Sequence, residues 1–334
     1  MNSEAPGWDA IDTRLEQFYP GVEPRHFATM HRFALGGPDP LDGVSFYPRA
    51  EPVPHWHLVS YGMSELYARD ESDTEETEES GWGFEFSFRI ARSIDDDEPP
   101  MWAADLLQYL ARYVFSSGNW FEAGHHLDPG GPLRQDPPTA MRGLAFVEDP
   151  ELGTIGTPHG RLQFLQVVGI TADEYDAIRQ WDVHGVLKLL TERDPLLITD
   201  LDRPSITDDP DTRALIDAGR ERDGSSSGLF MIAGFGATVD DSGAVLLRFK
   251  EVNAGLVAQA VRDRLGHGRD LILDGDGHVR TLVRRAPAYA VRPLEGGALE
   301  LDLPSEAVDA LPGLLTPGRR PVPGTDRLSV EVTD

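Results

Sequence analysis

Four stretches of the chain hold residue types and spacings that could do chemistry. His55 and His57, in "HWH", fall on one face of a probable strand, and His125 and His126 sit side by side in a long loop. Imidazoles drawn from two such places could gather around zinc. "GSSSG", from Gly224 to Gly228, spells the G-x-S-x-G of a nucleophile elbow. "LILDGDGH" puts Asp274 and Asp276 at the start of a calcium-loop-like pattern, and "GGPDPLDGVSFY", Gly36 to Tyr47, has the glycines of a phosphate-holding loop.

Each lacks a part that its chemistry needs. No H-E-x-x-H helix or carboxylate companion accompanies the histidines, so paired histidine–aromatic packing explains them better. The serine of an elbow leaves a strand and enters a helix, whereas here it leaves a polar stretch and enters an apolar strand. The calcium pattern meets Arg285 where a bidentate acid is required, and reads instead as a hairpin turn. The glycine-rich stretch has no G-K-[ST] ending and is followed by a strand. It reads as a rigid connection: Gly36-Gly37 supply positive-φ freedom, Pro38 and Pro40 stiffen it, and Asp39 and Asp42 are expected to hold backbone amides. No catalytic set, metal site or cofactor site survives, and the chain reads as a non-enzyme.

The elements that would position these residues fall into two groups. In the first, Ile11, Leu15 and Phe18 have helical spacing, and "RHFATMHRFALGG" alternates as a strand through Phe27, Thr29, His31, Phe33 and Leu35. "GVSFY" and "HWHLVSYGM" are further strands. "GWGFEFSFRI" sets Phe84, Phe86, Phe88 and Ile90 on one face and Glu85, Ser87 and Arg89 on the other. The acidic run Arg69 to Ser80 is a solvated loop. A helix follows Pro99-Pro100 and buries Leu106, Leu110, Tyr113 and Val114, ahead of a long Gly/Pro-rich loop. Two apolar strands come next, then a helix opened by a Thr171/Glu174 capping box with Gly185 as a weak point, and "PLLITDLD" as a closing strand.

The composition then shifts to Asp, Arg, Ser and Gly. The expected division is a domain over 1–205, a flexible linker over 206–228 with a short helical piece near Thr212–Gly219, and a smaller domain over 229–334. That smaller domain alternates short strands with helices near Ala254–Leu265 and Ser305–Leu315. The fold class is α+β, two mixed-sheet domains joined by the linker.

The totals exclude several functions. Lys and Arg number 30 against 57 Asp and Glu, a formal charge of −27, which repels nucleic-acid phosphates and favours basic partners. There is no cysteine, hence no disulfide or thiolate site. No basic n-region precedes an apolar core at the N-terminus and no window approaches 18 apolar residues, so the reading is cytoplasmic with no membrane partner.

The blocks "LGGPDPLDGVSFY", "PHWHLVSYGMSELY", "GWGFEFSFRI", "PPMWAADLLQYLARYVF", "TPHGRLQFLQVVGITADEYDAIRQWDVHGVLKLL", "PLLITDLDR" and "ERDGSSSGL" resemble, in order and spacing, the Suppressor of fused (SUFU) family; the C-terminal part is a weaker match. The resemblance implies a two-domain, non-enzymatic binding protein that clamps a partner segment between its domains by strand addition. Carried over residue by residue, it implies partner contacts at Tyr113, His125, His126 and Gly228, Leu229, Phe230, Met231 and Ile232. His125 stands where animal members have an acid, so their ligand specificity does not transfer. Bacterial members of the family resemble immunity proteins, which makes a toxin domain the first expected partner and a transcription factor or other peptide-bearing protein the alternative.

Overall fold

A computed structural model of the chain describes residues 4–31, 33, 36–69, 77–275 and 280–334. By its internal contacts the chain divides into two units, residues 1–175 with 187–206, and residues 176–186 with 207–334. Among the described residues no helix is long and apolar enough to cross a membrane.

One sheet organises the first unit. Its strands are β1 (Arg25–Ala28), β2 (Gly43–Arg49), β3 (His55–Tyr61), β4 (Glu79–Ala91), β5 (His126–Leu127), β6 (Met141–Glu148), β7 (Thr154–Thr157) and β8 (Gly160–Thr171). They are hydrogen-bonded in the order β1-β2-β3-β4-β8-β6-β5, with β7 on β8, and only β4 and β8 run parallel. The helices are α1 (Pro6–Glu16), α2 (Met101–Ser117), α3 (Ala172–Gln180) and α4 (Val183–Arg193), the last two crossing the division, with residues 176–186 in the second unit. On β4 the period-2 pattern holds: Phe84, Phe86, Phe88 and Ile90 pack into one core with Ala103, Leu107, Leu110 and Val114 of α2. The polar face of the same strand is buried too. Glu85, Ser87 and Arg89 lie inside the protein, on the side where Ile11 and Leu15 of α1 join Tyr19, Val59, Tyr61 and Phe164 in a second core.

The connection "GGPDPLDG" is pinned at several points. Leu41 is buried, its carbonyl accepts from Thr29 Oγ1 and Gln108 Nε2, and Asp42 N donates to the Tyr61 carbonyl. Gly36 has φ 87°, whereas Gly37 is not in the left-handed region. Of the two aspartates in this connection, Asp39 receives Arg112, and Asp42 Oδ2 accepts from Tyr67 Oη.

Other elements also differ from the sequence reading. The strand expected through Phe33 and Leu35 ends at Ala28, and Leu35 lies outside the described residues, as do Asp70–Glu76 of the acidic run and Asp276 of the calcium-like pattern. "PLLITDLD" forms no strand; Thr199 makes a single bridge with Ile90. The capping box forms reciprocally, Thr171 N to Glu174 Oε2 at 2.9 Å and Glu174 N to Thr171 Oγ1 at 3.3 Å. The expected single helix breaks into α3 and α4 around Trp181 and Asp182, whose carboxylate accepts from Gly185 N. Tyr113, expected in the core, is 45% exposed: it falls between Leu110 and Val114 in the chain but off the helical stripe that buries Ala103, Leu107, Leu110 and Val114.

The stretch expected to be a flexible linker is structured. Asp209 caps α5 (Pro210–Asp223), which buries Thr212, Ile216 and Gly219, and this helix belongs to the second unit. There, β9 (Leu229–Met231), β10 (Gly236–Val239), β11 (Val245–Lys250), β12 (Leu271–Asp274), β13 (Arg280–Arg285), β14 (Ala290–Pro293), β15 (Leu299–Leu303), β16 (Gly318–Pro321) and β17 (Leu328–Thr333) form two sheets. Their orders are β10-β11-β17-β16 and β14-β15-β13-β12-β9. Helices α6 (Glu251–Asp263) and α7 (Ser305–Leu314) share one core with both. "LFMIAGFGATV" therefore feeds two different sheets, because the chain turns between Ile232 and Phe235 through Gly234 at φ 76°.

Candidate functional site

The second unit presents a short strand edge. β9 is the last strand of its sheet and pairs parallel with β12. The Gly228 carbonyl accepts from Ile272 N and Ile232 N donates to the Asp274 carbonyl, each at 2.8 Å. The even-numbered residues thus spend their main-chain groups on β12, and strand alternation turns the N–H and C=O of Leu229 and Met231 to the outer side. The side chains alternate as well: Phe230 and Ile232 are buried, while Leu229 is 51% and Met231 79% exposed. Beside Phe230 runs a groove of about 320 Å³, walled by Gly255, Leu256 and Ala260 of α6 and by Arg179 and Gln180 of α3. A Cβ placed on Gly255 would meet nothing within 4 Å, so the groove is open at that turn of the helix.

The serines before β9 anchor it. Ser225 is buried, its N–H donates to the Asp263 carbonyl at 2.7 Å, and its hydroxyl donates to the Arg179 carbonyl at 2.5 Å. Ser226 N donates to the Trp181 carbonyl at 2.6 Å. The Ser225 hydroxyl, engaged in this way, fixes the entry into β9; Ser226, the middle serine of the G-x-S-x-G pattern, is exposed and leads into a strand, where a nucleophile elbow needs a helix.

Tyr113, His125 and His126 all belong to the first unit. Tyr113 stacks on Phe121 with ring centroids 5.5 Å apart. Between Glu122 and His125 the chain makes a tight turn, His125 N donating to the Glu122 carbonyl and Glu122 N to His125 Nδ1. His126 belongs to β5, the other end strand of the large sheet, and its ring meets Tyr175 edge-on at 5.5 Å. Of the residues named from the family resemblance, His126 thus falls on an end strand in the first unit and Leu229, Phe230 and Met231 on an end strand in the second, while Tyr113 lies on α2. The sequence reading missed the α6 wall of the groove, because Gly255 and Leu256 carry no motif.

It also missed a buried polar cluster in the first unit. Arg89, fully buried on β4, donates through Nη1 to Asp149 Oδ2 at 2.7 Å and to Gln166 Oε1 at 2.5 Å, and through Nη2 to Asp149 Oδ1 at 3.0 Å and Glu151 Oε2 at 2.9 Å. Arg49 reaches the same Glu151 oxygen at 2.5 Å. His57 faces Asp149 Oδ2 at 3.3 Å through Nε2, and its Nδ1 lies 2.6 Å from Tyr19 Oη. These partners assign the tautomer: Tyr19 donates to Nδ1 and the ring proton sits on Nε2.

By residue type a Tyr–His–Asp chain could relay protons. Here no member is more than 4% exposed, so no substrate reaches it and the array is part of the core. Burial first, then the charge of Arg89, pushes His57 down to about 4. Burial works against the Asp149 carboxylate, but hydrogen bonds and charge from His57 and Arg89 hold it well below the usual carboxylate range.

A pH dependence follows from His57. An unfolded histidine takes a proton near pH 6.5, while the folded His57 refuses it until about pH 4. Its contribution to stability is therefore complete above about pH 6.5 and is lost progressively as the pH falls towards 4, at up to about 1.4 kcal/mol per pH unit. Imidazole NMR shifts across this window should show His57 unprotonated at pH 5.5, and a His57 midpoint near 6.5 would sink the expectation.

Two units of mixed α+β sheets, the first with a polar cluster sealed in its core, define the fold class. The Suppressor of fused protein (SUFU) family model matches residues 37–204, and the chain belongs to that family. Human Suppressor of fused homolog is 38% identical over 234 residues, 66% of this chain and 48% of the human protein, and the mouse homolog gives the same figures. The match thus spans about half the length of these curated relatives. The crystal structure of Drosophila Suppressor of Fused superposes with a TM-score of 0.80 at 23% identity, covering 98% of this chain and 96% of that one, and so shares the two-domain fold. A chain from the crystal structure of the Sufu-Fu complex superposes with a TM-score of 0.58 at 32% identity, over 64% of this chain and 98% of that one.

Proposed function

We propose that this protein is a non-catalytic binding protein that holds a segment of one protein partner as an added strand on β9. The observation that carries this reading is the end strand itself: Leu229 and Met231 turn both their main-chain groups and their exposed side chains outward, beside an open groove on α6. Strand addition supplies affinity through main-chain hydrogen bonds and selectivity through alternate side chains, and Leu229 and Met231 are the alternate positions here. In this reading Tyr113, His125 and His126 of the first unit hold the same segment, so that the partner is clamped. A relative occurs in a complex with Fu, which supports the class of activity and does not name this chain's partner.

The formal charge of −27 favours one kind of partner, a basic domain such as a nuclease-type toxin that the protein would neutralise. The alternative is a regulator that sequesters a transcription factor or other peptide-bearing protein. Affinity capture with the tagged chain, followed by mass spectrometry, separates the two. A basic toxin partner should be retained near 0.05 M salt and lost steadily towards about 0.5 M, because long-range attraction is screened. Its toxicity should also be suppressed when this chain is co-expressed. Capture that is indifferent to salt, with no protection of cells, would rule out the neutralising role.

A further inference from the structure

Among the described residues, three pairs of arginines converge on a shared acceptor. Arg49 and Arg89 meet on Glu151, and Arg284 and Arg292 meet on Glu300 and Asp302. The third pair, Arg264 and Arg269, meets on a neutral atom: the Nη1 atoms donate to the Ser225 carbonyl at 2.7 and 2.8 Å. Arg264 is fixed further by Nε, which donates to the Asp270 carbonyl at 2.5 Å. Among the described residues neither guanidinium forms an ion pair with a carboxylate. The acids that act on the pair do so from farther off, Asp270 on Arg264 and, opposite Arg222, Asp223 on Arg269.

Two like charges on a single carbonyl repel each other, and the repulsion is relieved when an anion sits between them. Burial, and then the charge of Arg269, lower the pKa of Arg264. Both side chains are half-buried, and their unused N–H groups are not sealed in the core. Ser225, the shared acceptor, is itself locked in place, so the two forks are held before any ligand arrives. The pair also stands at the head of β9: Arg264 Nη2 would lie 3.1 Å from a Cβ placed on Gly228.

We propose that Arg264 and Arg269 form an oxyanion site at the Gly228 end of β9, which takes a carboxylate or phosphoryl group from an acidic or phosphorylated side chain of the bound segment. The origin of the group in that segment rests on the strand-addition reading; the oxyanion site does not. Guanidinium forks match the paired oxygens of either group, and a position that demands an anion would select segments in an otherwise acid-repelling protein.

The test uses the full chain, with arginine Nε–H and backbone amide NMR signals followed at constant ionic strength during separate titrations with inorganic phosphate and acetate. Saturable shifts at Arg264, Arg269 and Gly228 are expected. Saturation by phosphate alone assigns a phosphoryl ligand, by acetate alone a carboxylate, and by both the shared chemistry. Arg269→Gln, which removes the hydrogen bond to the Ser225 carbonyl, should weaken saturation about tenfold or more. Should it also lower the melting temperature, Arg269→Lys keeps the charge, loses the fork and should still weaken binding. Linear shifts, or equal dissociation constants in wild type and both variants, would overturn the site. Failure of strand addition reads differently: Met231→Pro would then leave partner capture intact, whatever the anion titrations show.

Discussion

Replacing Asp149 with alanine is expected to destabilise the protein by about 3–5 kcal/mol, the largest effect of any single substitution considered. The carboxylate is fully buried and accepts from Arg89 twice, from Ser87 Oγ at 2.7 Å, and from the N–H groups of Glu151 and Leu152 at 2.9 and 2.8 Å. Its removal leaves a guanidinium with no exposure facing only Gln166 and the shared Glu151. Charge and shape can be separated, since Asp149→Asn keeps most of the volume and one acceptor while losing the charge. It should fall between wild type and alanine. Urea unfolding followed by tryptophan fluorescence gives the midpoints. A loss below about 1 kcal/mol for alanine would mean that water or a rearranged Glu151 replaces the carboxylate, and the array would not be a structural core.

The second large effect is on binding. Met231→Pro should reduce partner capture at least about tenfold and leave stability within about 0.5 kcal/mol of wild type. The Met231 N–H points to the outer side of the sheet, so proline removes no bond to β12. Phe230, the preceding residue, is already in a strand, the conformation that proline demands of its neighbour. Ile232→Pro is the contrasting variant. That N–H donates to the Asp274 carbonyl, so its loss should damage the fold as well as binding. Quantitative pull-down beside thermal melts distinguishes the two, and full capture by a folded Met231→Pro chain would move the binding surface away from β9.

The residues themselves explain what the sequence could and could not reveal. The apolar face of β4 was legible because burial on one side of a strand leaves a period of two. Its other face was not, since Glu85, Ser87 and Arg89 read as solvent-facing, and only their partners show otherwise. Glu85 accepts from Ser60, Ser64 and the N–H of Gly62, and Arg89 meets Asp149 and Gln166. Those partners lie 21 to 77 positions away, and pairing across strands leaves no trace in local spacing. The capping box at Thr171 was legible because both of its members are local. At the candidate site, Gly228–Ile232 was found through family resemblance, whereas nothing marks Arg264 and Arg269, five positions apart, as neighbours over Ser225.

The brevity of β9 has a bearing on self-association. With three residues, it turns outward only the N–H and C=O groups of Leu229 and Met231, four in all. At about 1 kcal/mol net for each hydrogen bond, two copies meeting edge to edge would recover only a few kcal/mol, less than the freedom they lose on joining. The same edge is therefore too short to template stacking of one molecule on the next, the route by which open sheets grow into fibres. An exposed strand of this length keeps the protein monomeric at its own edge while leaving that edge free for a ligand that brings further contacts.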